Sequence, residues 1–210
     1  MSELGVEMNE EQLGRRERRQ AETREKLFRT ALRLFSQRGF SAVTVEEITE
    51  AADLGKGTFF NYFPSKEHVL AAFGQIQVGK VEAALARVEG RETTAAEALH
   101  RLPQELAAEP GRSAALARSL MVAINSNDAA RGLMMANLQR GRELLGRLIW
   151  ICQEKGEIRK DRLALDLARA FQETFFGTLF VWAQDPAQQE LGNALADAFE
   201  IFWSGAENAR

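Results

Sequence analysis

Apolar residues in this 210-residue chain return at three- and four-residue intervals almost throughout, and only a few short breaks interrupt them. That interval places side chains on one face of an α-helix, whereas a half-buried strand would alternate every second residue. Leu27, Ala31 and Leu34/Phe35 form one such stripe, with Phe28 and Leu32 beside it, on a helix predicted from about Arg19 to Arg38. Gly39 follows as the residue that ends it. Later helices are predicted over about 93–108, 112–127, 129–155, 161–183 and 188–204. The breaks fall at Glu89-Gly90, Glu109-Pro110-Gly111, Asn125 to Asp128, Lys155-Gly156 and Asp185-Pro186. Ala, Leu, Glu, Arg and Gln dominate, and runs of Val, Ile, Thr or Tyr are scarce. The fold class that follows is all-α, not a β-sandwich or barrel.

The same composition narrows the chemistry. A single cysteine, Cys152, excludes an intrachain disulfide framework, and with His68 and His100 far apart no His/Cys metal set is in view. No metal, cofactor or catalytic residue is expected, and Cys152 reads as an inert buried thiol. The longest uncharged stretch near the C-terminus, Thr174 to Gln184, is eleven residues, short of the ~20 that span a bilayer. The N-terminus has no apolar signal region. The expectation is a soluble, cytoplasmic protein.

Net charge is −3, which taken as a sum argues against nucleic acid. Its distribution argues otherwise. Between Arg15 and Arg38 stand nine basic residues against three Glu. Charges more than about 10 Å away are screened, so a phosphate backbone would feel this stripe and not the total. A solvated helix face remains the other reading of the same run.

Residues 1–18 are read as a polar tail, 19–79 as one unit and 80–210 as a second. Within the first unit, Thr44 followed by Glu47 is a capping box, so a short helix starts at Val45. Asp53-Leu54-Gly55 interrupts it. A second short helix runs from Lys56 to Phe63, stopped by Pro64. Ser65 caps a long helix from Lys66 to about Val88. Two short helices joined by a tight turn, with a helix before them, make a helix-turn-helix over about 43–62. The second short helix must enter a groove about 12 Å wide and therefore needs small, hydrogen-bonding residues at its start. Lys56, Gly57 and Thr58 meet that need. Asn61 suits adenine, Tyr62 suits a phosphate or the core, Thr44 a cap and a phosphate, and Lys66 a second phosphate. Arg15, Arg16, Arg18 and Arg19 are either an arm onto DNA or solubilising charge. Ile48, Leu54, Phe59 and Phe63 are expected to pack on Leu27, Ala31 and Phe35.

From Thr23 to Leu70 the sequence TREKLFRTALRLFSQRGFSAVTVEEITEAADLGKGTFFNYFPSKEHVL resembles the DNA-binding domain of the TetR family of bacterial transcriptional regulators. The likeness lies in the LF that closes the first helix, the G-F turn, T-V-E-E-I, K-G-T-x-F-x-Y-F and S-K-E, all at matching spacing. It implies a homodimer on a palindromic DNA operator, with a C-terminal domain that senses a small molecule. Three positions depart from the family pattern. Asp53 stands where Gly is usual, Gly55 replaces a hydroxyl-bearing cap, and Phe60 replaces a frequent Tyr.

The second unit ends in two apolar helices. Leu167, Phe171, Thr174, Phe175, Thr178, Leu179 and Trp182 form the stripe of the first, with Phe176 and Phe180 off it. Leu191, Leu195, Ala198 and Phe202 form that of the second, flanked by Phe199, Ile201 and Trp203. Helices apolar over so much of their surface must be covered on several sides. A homodimer through 161–183 and 188–204 would cover them as a two-fold four-helix interface. An effector site is expected among the middle helices, lined by Met121, Ile124, Met134, Met135, Trp150, Phe171 and Phe175, with His100, Asn125 or Gln172 as polar contacts. The same residues would serve equally as ordinary core. The functional expectation is a ligand-responsive repressor released from its operator by a small apolar or aromatic effector. A helical enzyme and a protein-interaction module without DNA are the rivals, and the sequence holds no G-x-S-x-G, no HExxH and no glycine-rich phosphate loop to favour the first.

Overall fold

A helix whose residues favour the helical state needs little apolar surface of its own once a neighbouring segment is anchored, and the chain opens in this way. In the computed structural model, which describes residues 10–206, α1 runs Glu10–Arg38. Residues 10–18 are therefore its first turns and not part of the tail predicted over 1–18; residues 1–9 lie outside the described residues. The sequence reading missed this start because it followed apolar spacing. Residues 14–22 are exposed all round, and burial begins only at Leu27. Gly39 ends α1 at φ +84°, its N–H donating to the Phe35 carbonyl at 2.9 Å.

Helices α2 (Val45–Ala51) and α3 (Lys56–Phe60) follow. At the start of α2 the predicted capping box is present. The Glu47 N–H donates to Thr44 Oγ1 (3.2 Å), and Glu47 Oε2 accepts from the Thr44 N–H (2.8 Å). At its end the Leu54 N–H reaches the Thr49 carbonyl and the Asp53 N–H the Glu50 carbonyl. That pair of bonds is a Schellman motif, which needs a left-handed residue at Asp53. Asp53 has φ +53°, a conformation that Asp tolerates better than most side chains. Helix α3 is shorter than the predicted 56–63, although the Phe63 N–H still bonds Phe59 O.

The long α4 (Lys66–Glu89) leads into α5 (Ala95–Ala107), a 3-10 turn at Pro110–Arg112, α6 (Ala114–Ser126), α7 (Asp128–Glu154), α8 (Ala164–Gln184) and α9 (Leu191–Ala206). Among the described residues there is no strand, and no helix is long and apolar enough to cross a membrane. Ser65 holds the cap position of α4, but its hydroxyl pairs with His68 Nδ1 and not with the backbone.

Burial divides into two cores. In the first, Ile48, Phe59 and Phe63 pack on Leu27, Ala31 and Phe35, as the sequence predicts. Val69, Leu70 and Phe73 of α4 and Leu116, Leu120 and Ala123 of α6 complete it. The second core joins α4, α5, α7, α8 and α9 around Leu99, Leu102, Leu148, Phe171, Leu195 and Phe199. Cys152 is buried within it, and burial, aided by Glu157, pushes its thiol up to about 12, which keeps it protonated and unreactive. Helix α4 comes close to α7 at Gly74, where an added Cβ would lie 2.5 Å from Asn137 Nδ2.

The left-handed turn at Asp53 gives a direct stability test. Asp53→Val is expected to destabilise the fold by about 1–2 kcal/mol, because a β-branched residue resists that conformation, while Asp53→Gly holds or raises stability. Urea unfolding of both variants measures this; equal losses would mean that the turn does not depend on the left-handed residue.

Candidate nucleic-acid interface and effector cavity

Helix α3 turns one edge into the core and the other outward. Phe59 is buried and Thr58 half-buried, while Lys56, Gly57, Phe60 and Asn61 are exposed. No atom outside the local backbone lies within 4 Å of the Cβ that an alanine at Gly57 would carry. Gly57 therefore fills no packing need within the chain and leaves the helix surface low. Lys56 forms an ion pair with Glu46 of α2, an exposed contact that holds the Glu46 carboxyl below the usual range. Behind it Arg38 donates to Glu47 Oε1 (2.6 Å). The Glu47 carboxyl is held below its ordinary range by the Thr44 N–H first and Arg38 second. Thr44 is thus a cap, with its residue exposed at the same surface.

Tyr62 is half-buried against the first core and also faces α1, where it forms a groove with Arg15, Arg16, Arg19, Gln20 and Thr23. The basic stripe of α1 therefore stands beside the end of α3, a neighbourhood that no local pattern announces.

Lys66, expected at a phosphate, also has partners within the chain. Its ammonium donates to the carbonyls of Phe40 and Val43, both at 2.9 Å, and lies 4.5 Å from the centre of the Phe40 ring. It ties α4 to the loop after α1 with two of its three donors.

The second site is a cavity of about 100 Å³ where α4, α7 and α8 meet. Helix α4 supplies Phe73, Gly74, Gln77, Val78 and Val81. Helix α7 supplies Met134, Asn137, Leu138, Gly141 and Leu145. Helix α8 supplies Phe171, Gln172, Phe175, Phe176 and Leu179, and Leu106 and Pro110 also contribute. Met134, Phe171 and Phe175 stand where the sequence reading put them. Met121 and Ile124 do not line it; Met121 packs at the edge of the second core. Met135 (48% exposed) and Trp150 (55%) face away from it, because they lie on the opposite side of α7. His100 stacks on Trp203, and Asn125 bonds back to Met121 O. Gln172 lines the wall with its amide already engaged, donating to Leu138 O and accepting from Arg142 Nε, both at 2.9 Å. The residues that the sequence reading missed are those of α4. Phe73, Gln77 and Val81 recur every four residues and so share one face, but the expected unit boundary at 79 cut through them. Helix α4 crosses that boundary without a break.

The profile described as "Bacterial regulatory proteins, tetR family" matches residues 27–73, the first core and its helix-turn-helix. The transcriptional regulator AcuR of Cereibacter sphaeroides is 31% identical over 193 residues, covering 86% of this chain and 72% of AcuR. The chain belongs to the TetR family. Among TetR-family structures, the Thermus thermophilus repressor FadR, in complex with lauroyl-CoA, is 27% identical with a TM-score of 0.65 and covers 89% of this chain and 96% of its own. The regulator TcmR of Streptomyces glaucescens is 46% identical over 56 residues, 27% of this chain and 25% of TcmR. The chain spans a quarter or less of the length of the first curated relatives it matches.

Lys66→Met separates a tie from a clamp. Two buried carbonyls lose their donor, so a loss of about 1–3 kcal/mol in stability is expected. The salt dependence of DNA binding stays as in the parent chain. A variant of unchanged stability whose binding loses about one unit of salt slope would return Lys66 to the phosphate contacts.

Proposed function

We propose that the chain is a cytoplasmic, homodimeric transcriptional repressor that leaves its operator when a small apolar effector enters the cavity between α4, α7 and α8. The observation that carries the reading is Phe73, which belongs to the core of the helix-turn-helix unit and to the wall of the cavity. One side chain thus senses the cavity and supports the DNA-reading unit.

On the DNA side, Gly57 lets the backbone approach a base edge, with Lys56, Thr58 and Asn61 as donors around it. Thr44, Tyr62 and the basic stripe of α1 supply phosphate contacts. Phe60 presents an exposed ring of the kind that meets a thymine methyl. On the effector side, a cavity of about 100 Å³ is well below the ~300–1,000 Å³ of ordinary ligand sites. An effector must therefore part the helices, and the state it stabilises differs from the empty one. That difference is the differential affinity that release requires. The FadR complex with lauroyl-CoA shows that a relative of this fold takes a ligand with a long apolar chain, although that ligand also carries the charged CoA group. On the dimer side, α8 exposes Phe180 and Val181 (69%), and α9 exposes Ile201 (75%). These are apolar faces that a second copy would cover through a two-fold axis.

Fluorescence anisotropy on the duplex upstream of its own gene, against a scrambled duplex, tests the DNA reading. Lys56→Ala and Thr58→Ala are each expected to weaken specific binding about tenfold, near the value of one good base or phosphate contact. Gly57→Ala should stabilise the fold by up to about 1 kcal/mol and yet lose operator affinity. Equal affinity for both duplexes sinks the proposal. For the dimer, Val181→Glu with Ile201→Glu should give a folded monomer by sedimentation; a persistent dimer would place the interface elsewhere.

A further inference from the structure

The cavity wall is almost wholly apolar, and one of its polar atoms has no partner. Gln77 Oε1 is buried and accepts no hydrogen bond, alone in this among the buried side-chain oxygens and nitrogens of the described residues. A buried acceptor left unmade is costly, and a native site that keeps one needs a physical account.

The direction in which this amide points is fixed by its neighbours. Gln77 Nε2 donates to Glu109 Oε2 at 3.5 Å. Burial pushes the Glu109 carboxyl up, but the ion pair with Lys80 and the bond from Gln77 outweigh it, and the group is held below its ordinary range. Lys80 is itself anchored by donating to Glu105 O at 2.6 Å. A carboxylate accepts only, so the NH₂ end of the amide faces Glu109 and the carbonyl end is turned away from it, buried in the wall that Gln77 contributes to the cavity. Turning the amide over would set two acceptors against each other. Of the other amides on the wall, Gln172 is bonded at both ends, and Asn137 donates to Ala71 O.

We infer that Gln77 Oε1 is the specificity contact of this cavity, and that the effector is an uncharged apolar molecule carrying one hydroxyl, which donates to it. The inference rests on the effector reading above and narrows it to a chemical class. A cation is disfavoured because the nearby Glu109 is already neutralised by Lys80. A carboxylate is disfavoured because it brings acceptors to an acceptor. A neutral donor satisfies the orphaned oxygen without importing charge into an apolar wall, and a hydroxyl is the smallest that does so.

A pair of probes of equal shape tests this: 1-naphthol and 1-methylnaphthalene, titrated into the full-length protein by calorimetry, with operator release followed by anisotropy. The naphthol is expected to bind at least tenfold tighter than the methyl compound. In Gln77→Met that preference should vanish while 1-methylnaphthalene binds as well as before or better. Operator binding and urea unfolding of Gln77→Met, both expected to match the parent chain, guard against a fold defect in that variant. Equal binding of the two probes to the parent chain, or a preference that survives Gln77→Met, overturns the inference and leaves the effector reading standing. If neither probe binds, both fall together. Binding without operator release, with the tenfold preference intact, upholds the contact and overturns only the link to DNA.

Discussion

Phe73 packs in the first core, which also holds Ile48, Phe59 and Phe63 of the helix-turn-helix, and it lines the cavity between α4, α7 and α8. The rest of the architecture depends on holding α4 so that this ring serves both. Gly74 lets α4 lie close enough to α7 for Asn137 to reach the Ala71 carbonyl. Lys66 fastens the start of α4 to the loop after α1, and Glu67 accepts from Asn127 at the head of α7. A rigid helix tied at one end and packed along its length moves as a unit, because packed interfaces shift between discrete arrangements more readily than they deform.

The body has a second grip on the reading unit. The Phe40 N–H donates to Ser119 Oγ, and the hydroxyls of Ser36 and Ser113 pair at 2.8 Å. Leu116 and Leu120 of α6 bury themselves in the first core. A displacement of α4 is thus opposed by α1 and α6 unless they follow. Under the proposed function, release of DNA would require the reading unit to shift on its body at the cost of some of these contacts, and an effector that parts the helices would draw on the same equilibrium as the DNA.

Several features were legible locally. Thr44 and Glu47 form the capping box that their spacing announces, Gly39 turns left-handed where α1 ends, and Asp53 takes the αL position of the turn. Each is decided by residues within one helical turn, where cap and turn chemistry is short-range. The first turns of α1 escaped because an exposed helix leaves no apolar stripe to follow. Met135 and Trp150 were misplaced because a helix that is apolar in patches on two faces does not say which face its neighbours will cover.

The sequence by itself determined the helices, the helix-turn-helix and the family, because periodicity, caps and a linked set of motifs lie along the chain. Only the tertiary structure decided the fate of Lys66, whose partners Phe40 and Val43 lie 26 and 23 residues away, and the position of the cavity, whose wall is drawn from α4, α7 and α8. It also decided that one glutamine oxygen in the cavity's wall would be buried without a partner. An ammonium or an amide bonds to whatever acceptor or donor packing brings within 3 Å, and which group that is depends on the meeting of helices distant in the chain.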